Sequence, residues 1–290
     1  MSRPLVFFFL CAIFPTSLPA DWQTPQRESP WTDFFLPYRS PDGKGDWDAS
    51  GSDPELLTQT HAMHLRNLSI RILDRAMDKI PRLAIESPSA QYDSKKNQFA
   101  GMDFIHVKGD LFTAVGGQWT FFGGERHLLL EDAVQVFLET KWDLENPPSE
   151  GSRTAIGGQN LQITVEEDVI SLHFLGGVSL HSSGFTLDSD KLVVEIAREE
   201  PMRILGQNFT GETVRFMRAV GAVRINWPTH SIAADCAQIF PNDGAIFLSG
   251  NVVVLEGEDR IQCQGELLFR GGTCHVLAEG SVDLQFLGTN

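Results

Sequence analysis

The chain has 290 residues, 42% of them hydrophobic and 21% charged, which is enough for one long domain or two small ones. Acidic residues outnumber basic ones, 38 to 23, for a formal net charge of -15. Nucleic acid and anionic membrane surfaces both favour basic patches, so neither is expected as the main partner.

The first twenty residues stand apart. Arg3 precedes an uncharged apolar run from Leu5 to Phe14, and Pro15-Thr16-Ser17-Leu18-Pro19-Ala20 follows. This is the layout of a cleavable secretory signal peptide over residues 1–20. The run is too short for a spanning helix, which needs roughly 20 residues. Leu18, at the third position before the cut, leaves an uncleaved anchor as the alternative. Export places the mature chain in an oxidising space. Its cysteines are Cys236, Cys263 and Cys274. Repeat alignment sets Cys236 and Cys263 diagonally on one face, at a marginal distance for a bridge. The favoured reading is buried free thiols packing as small apolar residues.

Residues 21–60 are rich in Pro, Gly, Ser and Asp and carry Trp22, Trp31, Phe34, Phe35, Tyr38 and Trp47 without any period. They predict a flexible leader whose aromatics fold back on the first strands, or else bind a partner. From about residue 62 the signal is strand after strand. Leu68, Ile70 and Ile72 alternate with Ser69 and Arg71, and strands are preferred to a helix over 68–80 because of Pro81 and the β-branched residues. After a turn at 74–79 comes Arg82–Asp93, and the strands continue to the end of the chain.

One phrase organises this ladder, Gly-x-Val-x-(apolar). It occurs as Gly176-Gly177-Val178-Ser179-Leu180, Gly221-Ala222-Val223-Arg224-Ile225, Gly250-Asn251-Val252-Val253-Val254 and Gly280-Ser281-Val282-Asp283-Leu284. Asp132-Ala133-Val134-Gln135-Val136 is a copy without the glycine, and Phe104-Ile105-His106-Val107 a fainter one. The valines at 134, 178, 223, 252 and 282 are separated by 44, 45, 29 and 30 residues. Recurrence at near-fixed spacing is the mark of a stacked repeat. Each copy alternates apolar and polar residues, the period of a strand with one wet face. The glycine two places before each valine predicts a bend or bulge at a corner. The expectation is an all-β chain of antiparallel strands stacked in layers: an N-terminal β module over 61–145 and a C-terminal β module over 146–290, continuous with each other. Phe104, Val134, Val136, Val178, Leu180, Val223, Ile225, Trp227, Val252, Val254, Val282 and Leu284 are expected to point inward, lining either a groove or a closed core.

No catalytic constellation emerges, and no Walker loop, nucleophile elbow or zinc-protease helix is present. His61 and His64 are spaced for a helix, in a stretch that reads as strand. Asp188, Asp190 and Glu195, and the pair Glu166-Glu167, are candidates for calcium or acid–base work, with solvated loop carboxylates as the favoured reading. His106 is placed on the inward phase. Neither catalysis nor a cofactor or metal is expected.

Two stretches resemble a known family. Gly250–Leu255 with Arg260–Phe269, and Val223–Trp227 with Ser231–Phe240, resemble the OstA-like repeat, in which a Gly-Asn-Val strand is followed by an Ala-Asp strand. Ala234-Asp235 matches that pattern; Gln262-Cys263-Gln264 and Leu187-Asp188-Ser189-Asp190 depart from it. Leu83–Asp93 into Leu111–Phe121 is similar to the related bitopic member of the same export system. The resemblance covers roughly 62–287. It implies a V-shaped β-jelly roll open at both ends, belonging to lipopolysaccharide transport to the outer membrane. Acyl chains of lipid A would lie in its groove. Partners would be other β-jelly-roll export components joined edge to edge, or further copies joined head to tail. A structural β-solenoid or surface scaffold without lipid is the alternative, and a glycan-active solenoid enzyme would need a carboxylate cluster that the sequence does not offer.

Overall fold

The computed structural model describes residues 32–40, 46–57, 62–73, 81–139, 153–182, 184–198, 202–204, 207–209, 212–257, 259–270, 273–276 and 282–285. The signal-peptide reading, the 74–79 turn, His61 and Phe286 lie outside them. The described chain is all-β. Its strands are β1 (Asp33–Arg39), β2 (Asp46–Leu57), β3 (Ala62–Leu73), β4 (Pro81–Asp93), β5 (Gln98–Gly101), β6 (Ile105–Lys108), β7 (Phe112–Gly116), β8 (Trp119–Phe122), β9 (His127–Leu138) and β10 (Thr154–Val165). There follow β11 (Val169–His181), β12 (Thr186–Arg198), β13 (Met202–Ile204), β14 (Gln207–Phe209), β15 (Glu212–Asn226), β16 (His230–Phe240), β17 (Ala245–Glu256), β18 (Asp259–Arg270), β19 (Thr273–Val276) and β20 (Val282–Gln285). All but the β13–β14 hairpin belong to one sheet, and every pairing within it is antiparallel.

Most strands are longer than the alternation suggests. Ile170–Phe174 and Val178–His181 read as two strands, yet both belong to β11. The ladder breaks register between Leu175 and Val178, where Gly176 and Gly177 have φ of 84° and 75°. A Cβ is disfavoured at these angles, which is why glycine stands there. The same break falls between Val220 and Val223, beside Gly221 at φ 83°. The anticipated corner is therefore real, and the corners stack strand upon strand. In the copy lacking glycine, Asp132 and Ala133 adopt φ of 70° and 50°. Each step of the repeat, whether 29 or 45 residues, advances two strands; the surplus of the longer steps falls in the connections after β9 and β12.

The corners divide the sheet into two walls that face each other. One wall holds β6, β7, the 134–138 end of β9 and the post-corner halves of β11, β15 and β17. The other holds β5, β8, the 127–131 end of β9 and the pre-corner halves of those strands. Hairpin turns alternate between the two free lips, and the lips bound a mouth along the length of the molecule.

The stretch read as leader is corrected in part. β1 and β2 extend the sheet from residue 33, so 33–57 is structured chain. Trp47 is fully buried, stacked on Tyr38 at 5.0 Å and edge-on to Phe99 and Phe121, so Trp47 and Tyr38 do fold back on the strands, whereas Phe35 is exposed and Trp22 and Trp31 lie outside the described residues. Arg71 clamps Asp48 through two 2.8 Å contacts, holding β3 to β2. That carboxylate raises the guanidinium's pKa further. At the proposed module joint, β9 and β10 pair from Leu138 opposite Thr154 to His127 opposite Thr164, so one ladder runs through it.

Candidate functional site

The inward stripe is the candidate site. Val134, Val136, Val178, Leu180, Val223, Ile225, Val252 and Val254 are between 0% and 3% exposed, as alternation requires once Gln135, Ser179, Arg224 and Val253 face out. Trp227, 8% exposed, sits at the lip. Val282 and Leu284 are in β20, opposite Cys263 and Ile261. These residues all lie on one wall. The facing wall, missed as a lining, is built by Leu161, Ile163, Leu172, Leu192, Val194, Met217, Ile239 and Leu248, all fully buried. Their signal was present in the sequence as the same alternation on the other side of each corner. In this structure the interior between the walls is sealed along the described length.

Phe104 is corrected. It is 66% exposed and precedes β6, whose buried residues are Ile105 and Val107; His106 is exposed. Val107 pairs with Ile85 and with Ala114, both inward, and those partners fix the phase. The favoured reading of free thiols holds for Cys236 and Cys263, with Cys263 buried, and their diagonal placement is corrected. Cys236 and Cys263 are both free, and they lie on β16 and β18, with the whole of β17 between them. That separation, near twice the roughly 4.8 Å strand spacing, excludes a bridge. Cys263 pairs with Val252, as Ala234 pairs with Val223 and Ser189 with Val178. A small residue opposite each valine is what tight packing beside the corner demands.

The acidic candidates do not converge. Asp190 stands over the corner glycine Gly221, and Asp235 holds the equivalent place over Gly250. Asp235 accepts hydrogen bonds from the Asn251 backbone N–H at 3.1 Å and from Asn251 Nδ2 at 2.9 Å. The Ala-Asp phrase is thus a corner device. Asp188 faces Arg224 across the strands, and Glu195 lies on the other wall. Among the described residues no group of three or more His, Cys, Asp or Glu is placed to hold a metal ion.

Among the described residues the mouth closes through side chains at three heights. Near the amino-terminal end Trp47 Nε1 donates to the Gly123 carbonyl at 2.9 Å. In the middle, Arg82 Nη1 donates to the carbonyls of Glu166 and Glu167 at 2.5 and 2.7 Å. Toward the carboxy-terminal end Trp227 packs on Phe269 at 5.3 Å, flanked by Phe185 and His230. His230 is oriented by Thr229 Oγ1 at its Nδ1, 2.6 Å, and by Glu256 at its Nε2, 3.2 Å. In each case one wall reaches a turn or strand of the other that lies several strands further along, so the walls are inclined to each other.

Compared with known proteins, the chain matches no family model and no curated protein.

Proposed function

We propose that this chain is a non-catalytic periplasmic lipid-binding protein of lipopolysaccharide transport to the outer membrane. It would hold acyl chains between its two walls and bridge partners end to end, strand edge to strand edge. The observation that carries this reading is the inward stripe, apolar through every layer from Trp47 to Phe269. The buried serines Ser87 and Ser189 do not interrupt it, because each donates to a carbonyl two residues on, at the corner. Each acyl methylene moved from water into such a stripe gains about 0.8 kcal/mol, so chains bind without a charged clamp. The OstA-like phrases at 223–240 and 250–269 support the same reading. A photo-crosslinker at Ile225 or Val254 is expected to capture a lipid A probe in the purified full chain. Capture at neither position overturns the reading.

The sealed interior favours a second reading, a structural β-solenoid whose core is complete without cargo. It predicts that protein stripped of lipid keeps its melting temperature and gives no crosslink at any inward position.

A further inference from the structure

Along the corners the two walls are one hydrogen-bonded ladder, whereas at the mouth side chains reach across at separate points. We propose that the mouth beside Arg82 is a side port for acyl chains, and that the Arg82 contact with the 166–168 turn is its latch. This rests on the acyl-chain reading above.

The three cross-wall contacts differ in what opening them would expose. Trp47 is embedded among Tyr38, Phe99 and Phe121, and Trp227 among Phe185 and Phe269, so parting the walls there wets several rings. Large apolar exposure makes such openings costly. The Arg82 contact is polar on both sides. Its donor is a guanidinium and its acceptors are two backbone carbonyls, all of which water satisfies as soon as the contact breaks. The turn it grips presents Glu166, Glu167 and Asp168, each exposed already. Arg82 itself is 6% exposed and the one buried arginine or lysine among the described residues. A cation withdrawn from water is costly unless its donors are met, and in the closed state the Glu166 and Glu167 carbonyls accept from Arg82 Nη1. Behind the latch lie Leu161, Ile163, Ile170 and Leu172, aliphatic side chains that an alkyl chain can pack among.

The test uses the purified full chain and a fluorescent fatty acid whose uptake is followed by stopped flow, with hydrogen exchange alongside. Arg82→Met keeps the length and removes the donors. It is expected to speed uptake about tenfold, the effect of lowering a barrier by roughly 1.4 kcal/mol. It is also expected to quicken exchange at 165–169 while the β15–β17 ladder stays protected. The opposite manipulation guards against a variant that merely misfolds: Arg82→Cys with Glu167→Cys, joined by a short bismaleimide after the four native cysteines are replaced by serine. The joined protein is expected to take up no probe while keeping its β-sheet circular dichroism. Wild-type uptake in either protein overturns the latch. Should no protein take up the probe, the acyl-chain reading falls, and exchange alone judges the latch: faster exchange confined to 165–169 upholds it, and unchanged exchange refutes it.

Discussion

Gly221 and Ala222 stand side by side at one corner with φ of 83° and 44°, and they should respond to mutation in opposite senses. A Cβ on Gly221 would press on the Asp190 side chain as well as occupy a left-handed backbone. Gly221→Ala is therefore expected to lower stability by about 1–3 kcal/mol, read as a fall in Tm. Ala222 already bears left-handed strain of about 1 kcal/mol. Glycine there relieves it against a smaller gain in unfolded-chain entropy, so Ala222→Gly is expected to leave Tm unchanged or raise it. A titratable residue gives a second test at this scale. Burial holds the His127 imidazole below the usual histidine range; nearby Glu125 opposes the shift and His173 adds to it. Gln162 Nε2 lies 3.3 Å from His127 Nδ1, suiting a neutral ring that accepts there. Because the folded value is depressed, the unfolded chain takes up the proton first. The contribution of His127 is thus present above the unfolded value of about 6.5 and lost as pH falls through the folded one. Melts between about pH 7.5 and 5.5 should show a drop that His127→Gln makes shallower.

Among the elements, the long bent strands depend on what anchors each bend. Asp235→Ala removes both acceptor contacts to Asn251 and is expected to cost about 1–3 kcal/mol, with faster exchange at the Asn251 amide while the Val253–Glu256 amides stay slow. Trp47→Phe keeps the ring packing but leaves the Gly123 carbonyl without its donor, and should cost a similar amount in a denaturant melt. The strands themselves were legible in the sequence, because Val134/Val136, Val178/Leu180 and Val223/Ile225 each have only one apolar phase. Phe104-Ile105-His106-Val107 has two. The linear pattern reads Phe104 as inward, and cross-strand partners, invisible in it, decide for Ile105 and Val107. The glycine corners were legible for the same reason the bends exist: few residues tolerate those angles. Asp190 and Asp235 looked like an acidic cluster and a repeat signature; only the stacking of neighbouring strands shows that each sits on the next corner.

For the whole molecule, the ladder across β9 and β10 means that the two sequence modules share one core. A protease site placed within residues 140–152 and cleaved should leave two fragments that co-elute and melt in a single transition; separation of the fragments on gel filtration would mark two independent domains. The facing wall and the mouth were the least legible features, because Trp47 meets Gly123 and Arg82 meets Glu166 across 76 and 84 residues of chain. Such contacts depend on how far the walls incline, which no local pattern encodes. The equal advance of two strands per repeat has one more consequence. Strands stack at about 4.8 Å, so each copy lengthens the molecule by roughly 10 Å whatever its residue count. A copy of 223–251 spliced in at Val252 would begin and end on the same rung, bringing its own corner, inward stripe and small opposing residue. The chain is in this sense a ruler graduated in pairs of strands, able to change its reach between two fixed points without redesign of either end.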